Sequence, residues 1–136
     1  MNAINRFLHG YPRHRLVICD TEPDEIDFID VGTALTECVG VDEGASPNDF
    51  LTELSSLVKE STYAHPDYGP TLAMKNLGIL LERQLGLDFK SFLERTSRNC
   101  LVVLKWEGAF EGNILHFLSK EAGVKIDLTG INYIKL

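Results

Sequence analysis

Three short segments put polar residues where an apolar run stops, and these are the places where the chain could do chemistry. Asp20-Thr21-Glu22 closes the run 15–19, Glu82 closes 77–81, and Lys105-Trp106-Glu107 closes 100–104. If each run is a strand of an open α/β sheet, its polar tip falls beyond the carboxyl end of the strand, where such sheets hold ligands. Asp20, Glu22 and Glu82 on one rim would offer the oxygen ligands that Mg²⁺ prefers. The competing reading of the same residues is a helix cap and solvated strand ends.

Other chemistries find less support. A phosphate-cradling turn needs GxxxxGK[ST] after a strand. After Asp20 the chain instead reads Thr-Glu-Pro-Asp-Glu-Ile-Asp, with no Lys and no Gly before Gly32. Those carboxylates would repel a triphosphate and shield any helix N-terminus there. Asp20-Thr21-Glu22 also resembles the first Asp-x-Glu metal motif of DEDD-type 3′–5′ exonucleases, which hold two metals on four carboxylates. Cys19 and Cys100 fall inside apolar runs, where a thiol behaves as a small hydrophobe. His9, His14, His65 and His116 show no HxxxH or HExxH spacing, so they read as surface or loop residues. Trp106 is either a core aromatic or an anchor for a partner.

The elements that must position these groups follow from periodicity. Ile4, Phe7 and Leu8 predict a short helix closed by Gly10 and Pro12; Arg15–Asp20 predicts a buried strand. Thr21-Glu-Pro-Asp24 carries the chemistry of a helix start, with Ile26, Ile29, Ala34 and Leu35 as its inner face. Residues 37–41 predict a short strand. Ser46-Pro-Asn-Asp49 opens the clearest helix, with Phe50, Leu51, Leu54, Leu57 and Val58 on one stripe. Residues 61–70 read as a loop, 77–82 as a strand, 88–96 as a helix and 100–106 as a central strand. A strand at 114–118 and a hairpin of 124–128 with 131–136, turning at Thr129-Gly130, complete the chain. Alternating strands and helices predict one α/β domain over residues 1–136: a three-layer, mostly parallel sheet with antiparallel strands at its C-terminal edge.

Composition sets the outer limits. The 136 residues are 44% hydrophobic and 24% charged, enough for a single core. Thirteen basic against twenty acidic residues give a net charge of −7. That sum argues against direct nucleic-acid binding, which needs clustered basic residues, while leaving room for a small basic patch. No apolar run approaches a membrane span, the first fifteen residues have no signal-peptide core, and three unpaired cysteines suit a reduced, cytoplasmic protein.

The C-terminal half carries a resemblance. Asn76-Leu-Gly-Ile-Leu-Leu-Glu-Arg-Gln-Leu-Gly-Leu-Asp-Phe89 resembles a Walker-B-like strand with its acidic loop. Ser97–Gly108 looks like a following strand ending in Trp-x-Gly, and Gly112-Asn-Ile-Leu-His-Phe117 like the short strand after that. Together these segments are similar to the small P-loop-containing proteins of BREX-type bacterial phage-defence systems. The order of elements is similar along the whole chain, while the motifs themselves are confined to residues 76–117. The resemblance implies a P-loop-NTPase-like fold. Where that family has its Gly-Lys loop, this chain has Cys19-Asp-Thr-Glu-Pro-Asp-Glu25, and Glu82 at the Walker-B-like position has no second acid beside it.

The resemblance therefore implies a scaffold that has lost ATP binding: a non-enzymatic, protein-binding subunit of an anti-phage assembly, with no cofactor. Two alternatives stand beside it. One is a small metal-dependent nuclease or phosphotransferase using Asp20, Glu22 and Glu82 with Mg²⁺; the other is a nucleotide sensor without a Walker loop. For the protein-binding reading, Trp106, Ile131, Tyr133, Ile134 and Leu136 are the candidate interface. An apolar edge strand at the C-terminus invites pairing with a partner or a second copy of the chain.

Overall fold

The computed structural model describes residues 2–39, 47–81, 87–117 and 124–136. Helix α1 (Ala3–His9) precedes strand β1 (Leu16–Cys19), and β2 (Phe28–Asp30) leads directly into α2 (Val31–Val39). Helix α3 (Pro47–Ser61) is followed by β3 (Tyr63–His65), β4 (Gly69–Lys75) and a 3₁₀ turn at Gly78–Leu81. Helix α4 (Phe89–Asn99) feeds β5 (Leu101–Lys105). Then come β6 (Phe110–Glu111), β7 (Ile114–Phe117), β8 (Val124–Asp127) and β9 (Tyr133–Lys135). The main sheet runs β2-β4-β5-β1-β9 with every neighbour parallel, and β3 adds antiparallel to β4. A separate antiparallel sheet runs β6-β7-β8. The chain is thus an α/β protein with a six-stranded, mostly parallel central sheet and a small antiparallel one.

The core explains the central strands. Leu16-Val-Ile-Cys19 and Leu101-Val-Val-Leu104 are at most 1% exposed, as expected of parallel strands covered on both faces. Their side chains alternate between two clusters. Leu16, Ile18, Val102 and Leu104 pack with Leu35, Phe50, Leu54, Phe92 and Leu93 from the three longer helices. Val17, Cys19, Leu101 and Val103 pack with Ile4 of α1, Ile26 and Tyr68. Asp88 caps α4, its carboxylate accepting the Ser91 N–H at 3.1 Å, and Phe89, Phe92 and Leu93 then face inward.

Several sequence expectations give way to tertiary contacts. The helix expected from Thr21 forms ten residues later. Residues 20–27 run as an irregular loop and Asp30, whose carboxylate accepts the Thr33 N–H at 2.9 Å, heads α2 instead. Residues 37–39, expected as strand, end α2; residues 40–41 and the expected cap Ser46 lie outside the described residues. The expected loop 61–70 contains β3 and the turn into β4, and the strand expected at 77–82 is displaced to 69–75. Residues 76–81 of the Walker-B-like segment are consequently loop and 3₁₀ turn, and Glu82 lies outside the described residues. The C-terminal hairpin does not form. Residues 124–127 pair with β7, while β9 crosses to the main sheet and lies parallel to β1. The reason is burial: Leu128 and Ile131, on either side of the Thr129-Gly130 turn, are both drawn into the core.

The Trp-x-Gly element has a steric cause. The Trp106 indole N–H reaches the carbonyls of Ala109 at 3.3 Å and His116 at 3.1 Å, which folds the 107–109 turn onto β7. At Gly108 an added Cβ would sit 1.9 Å from the His116 carbonyl oxygen. Gly108→Ala is therefore expected to lower the free energy of unfolding by about 1–3 kcal/mol, as overpacking does. Gly10→Ala, whose Cβ would meet only the Phe7 carbonyl at 3.5 Å, should stay within about 0.5 kcal/mol. Urea denaturation of the two variants measures the contrast.

Candidate functional site

The carboxyl ends of the parallel strands form one rim, because register sets where each strand stops. Lys105 stands level with Cys19, Lys135 with Ile18, and Lys75 with Asp30. Along the edge the order is therefore Asp30, Lys75, Lys105, Asp20 and Lys135. The loop that leaves β1 sends one carboxylate to each side. Glu22 reaches over β5, its Oε1 3.3 Å from the Lys75 Nζ and its Oε2 3.4 Å from the Lys105 Nζ. Asp20 turns the other way and accepts from the Lys135 Nζ at 2.6 Å. Next to them Asp30 accepts from the Asn76 side-chain amide at 2.8 Å.

The loop is held from its far side by the β3–β4 hairpin. The Tyr63 hydroxyl accepts the Asp27 N–H at 3.0 Å. His65 accepts the Asp67 N–H on Nδ1, which leaves its Nε2–H to donate to the Glu25 carbonyl at 2.8 Å. The His65 ring stacks on Tyr68 with centroids 4.3 Å apart, so this buried histidine organises the loop.

Charge at the rim is balanced locally. The hydrogen bond from Lys75, supported by Lys105, holds the Glu22 carboxyl below its usual range. The Thr33 N–H and the Asn76 amide do the same for Asp30. At the end of β1 the Cys19 thiol responds oppositely: burial first, then the negative charge of Asp20, push it up to about 11. It donates to the Leu104 carbonyl at 3.4 Å and is no nucleophile in this state. What the rim offers chemically is three ammonium groups, each already matched to a carboxylate of the chain.

The structure thus brings Asp20 and Glu22 to one rim but aims them at different lysines. Of the five residues expected at an interface, Trp106 and Ile131 are each 5% exposed and belong to the core. Tyr133 is half-buried edge-on against Phe110, with its hydroxyl on Asn113. Ile134 packs against the Val17 cluster, and Leu136 is 42% exposed. Sequence reasoning missed Lys75 and did not join it to Lys105 and Lys135. The available signal was a lysine directly after an apolar stretch, as in Thr-Leu-Ala-Met-Lys75 and Leu-Val-Val-Leu-Lys105.

Because the folded carboxyl of Glu22 titrates below its ordinary value of 4.5, its lysine contacts stabilise the fold above that pH. They are lost as the pH falls through the lower folded value. Glu22→Gln should accordingly melt below the wild type at pH 7, and the gap should close on acidification below 4.5, as followed by circular dichroism. A gap that persists at acid pH would show that the contacts are not electrostatic. In the same folded protein Cys19 should react with a thiol reagent only at the rate of opening, so that reactivity rises with urea in step with unfolding.

No protein-family model matches the chain, and neither a curated protein nor a solved structure matches it.

Proposed function

We propose that this chain is a non-catalytic, protein-binding subunit of a bacterial phage-defence assembly. Its scaffold would be a P-loop-like domain whose phosphate loop has been replaced by an acidic one. The observation that carries this reading is the engagement of Asp20 and Glu22 with Lys135, Lys75 and Lys105. Strand β1 sits between β5 and β9. The chain leaves β1 toward β2 and leaves β5 toward β9, so the loop after β1 lies at the switch point where α/β folds hold ligands. In a phosphate-binding domain that loop gives backbone N–H groups and a helix N-terminus to the anion. Here the loop continues to β2 without an intervening helix, and its carboxylates occupy the cations that an anion would use.

The partner surface on this reading is the C-terminal edge. Among the described residues strand β9 has a sheet neighbour, β1, on one side only, and Leu136 extends it with an exposed apolar side chain. An unpaired edge of this kind is a template for an added strand.

A nucleotide sensor is the second reading, favoured by the convergence of three lysines on one rim; it requires the acidic loop to withdraw. The metal-dependent nuclease or phosphotransferase fits less well, since a divalent cation at Asp20 or Glu22 must first displace ammonium groups. Two measurements separate the readings. Thermal melts with Mg²⁺, Mn²⁺ and Mg·ATP should show no ligand-dependent rise in midpoint, and purified protein should not hydrolyse ATP. A Mg²⁺-dependent turnover lost in Glu82→Gln overturns the non-catalytic assignment. For the edge, a photo-crosslinking residue at position 136 should capture a protein partner in the native host, while one at the exposed Lys59 should not. Capture from neither position, in a chain that still purifies in a complex, removes β9 as the interface.

A further inference from the structure

The net charge of −7 conceals an uneven distribution. The first fifteen residues contain Arg6, Arg13 and Arg15 with no acid, so ten basic residues face twenty acidic ones in the rest of the chain. The fold adds Arg98 to this basic segment. Arg15 immediately precedes β1 and Arg98 lies in the last turn of α4, so both stand at the amino end of the central strands, opposite the lysine rim. Backbone bonds fix them there: the Arg15 N–H donates to the Ser97 carbonyl at 2.8 Å, and the Arg15 carbonyl accepts the Val102 N–H at 2.8 Å. The guanidinium of Arg15 donates to the Arg98 carbonyl at 3.1 Å, and Arg98 Nε lies 3.4 Å from His14 Nε2.

Arg13, Arg15 and Arg98 line a surface pocket of about 490 Å³ whose single carboxylate among the described residues is Asp67. Among the described residues no carboxylate lies within ion-pair distance of Arg13, Arg15 or Arg98, in contrast to the lysines of the rim. Tyr11 stands at the same pocket. It is 92% exposed with φ of +50°, a left-handed backbone geometry that is unusual for a bulky residue. Its ring is left in solvent beside three cations.

We infer that this pocket binds single-stranded nucleic acid, with Arg13, Arg15 and Arg98 on backbone phosphates and Tyr11 as a stacking platform for a base. Clustered cations beside an exposed aromatic are the combination by which proteins hold single strands without reading sequence. A duplex hides the faces of its bases and would leave Tyr11 unused. The acidic remainder does not cancel the patch. Screening sets in beyond about 8 Å at physiological ionic strength, and the length of a four-residue strand at about 3.3 Å per residue separates the two ends of the sheet. This inference rests on the pocket alone and is independent of the role of β9 or of the lysine rim.

Fluorescence anisotropy of a labelled oligothymidylate, titrated with the full chain across a salt series, tests it. Binding should be saturable at low salt and fall with log[salt] at a slope of about −2, as three phosphate contacts on a single strand require. Arg13→Gln and Arg98→Gln should each weaken binding and reduce the slope by about 0.7. Tyr11→Ala should weaken binding about tenfold with the slope unchanged, and Lys59→Gln should match the wild type. All these side chains are exposed, so unchanged melting midpoints will separate lost binding from lost folding. The inference is overturned by the absence of saturable binding at low salt, or by arginine variants that bind as the wild type does. Equal affinity for a duplex of the same length, or displacement of the oligonucleotide by polyglutamate at equal charge, would also overturn it.

Discussion

The structure depends on the burial of two adjacent parallel strands, β1 and β5, on both faces and along both edges. The eight residues of Leu16–Cys19 and Leu101–Leu104 are at most 1% exposed. Backbone polar groups in that setting must be paired, which fixes β4 beside β5 and β9 beside β1. The first position at which the chain can place a charge is the last residue of each strand, as in β4, β5 and β9, or the one just after it, as in β1. Strand length and register thereby decide where Asp20, Lys75, Lys105 and Lys135 stand, before any of them contacts another.

Energetics explains why the rim is better understood as placement than as stabilisation. Ion pairs between side chains this exposed add little to folding, because water screens the attraction and ordering the long lysines costs entropy. The loop from Asp20 to Asp27 is secured chiefly elsewhere, by Ile26 in the core and by the Tyr63 and His65 contacts of the hairpin. The lysines then meet carboxylates that are already delivered to them. Such an arrangement leaves the ammonium groups neutralised in the free chain and keeps their stems along the sheet edge.

The two ends of the parallel sheet are consequently unlike. At the carboxyl end every lysine has an internal counter-charge. At the amino end Arg13, Arg15 and Arg98 surround a pocket with one acid among the described residues, and their described polar partners are a carbonyl and an imidazole. A parallel sheet makes this polarity possible, since all strands begin on one side and end on the other. Net charge, a sum over the chain, contains no information about it.

What the sequence determined by itself is whatever local chemistry specifies. The unbroken apolar runs at 16–19 and 101–104 could only be doubly buried strands. The stripe of Phe50, Leu54 and Val58 required a helix, and Asp88 marked the start of α4 through its own side chain. Tertiary structure decided the elements whose local signals conflict with distant contacts. Thr21-Glu-Pro-Asp24 has helix-start chemistry, yet Ile26 is drawn into the core and Asp27 onto Tyr63, so the helix starts at Val31, capped by Asp30. Gly69-Pro70 signals a turn, yet the apolar run behind it is needed between β2 and β5. Thr129-Gly130 signals a hairpin, yet Leu128 and Ile131 bury in the core and send β9 to β1. The sharing of Glu22 by Lys75 and Lys105, residues 53 and 83 positions away, has no local trace at all. It exists only because parallel register brings the ends of three strands to one level.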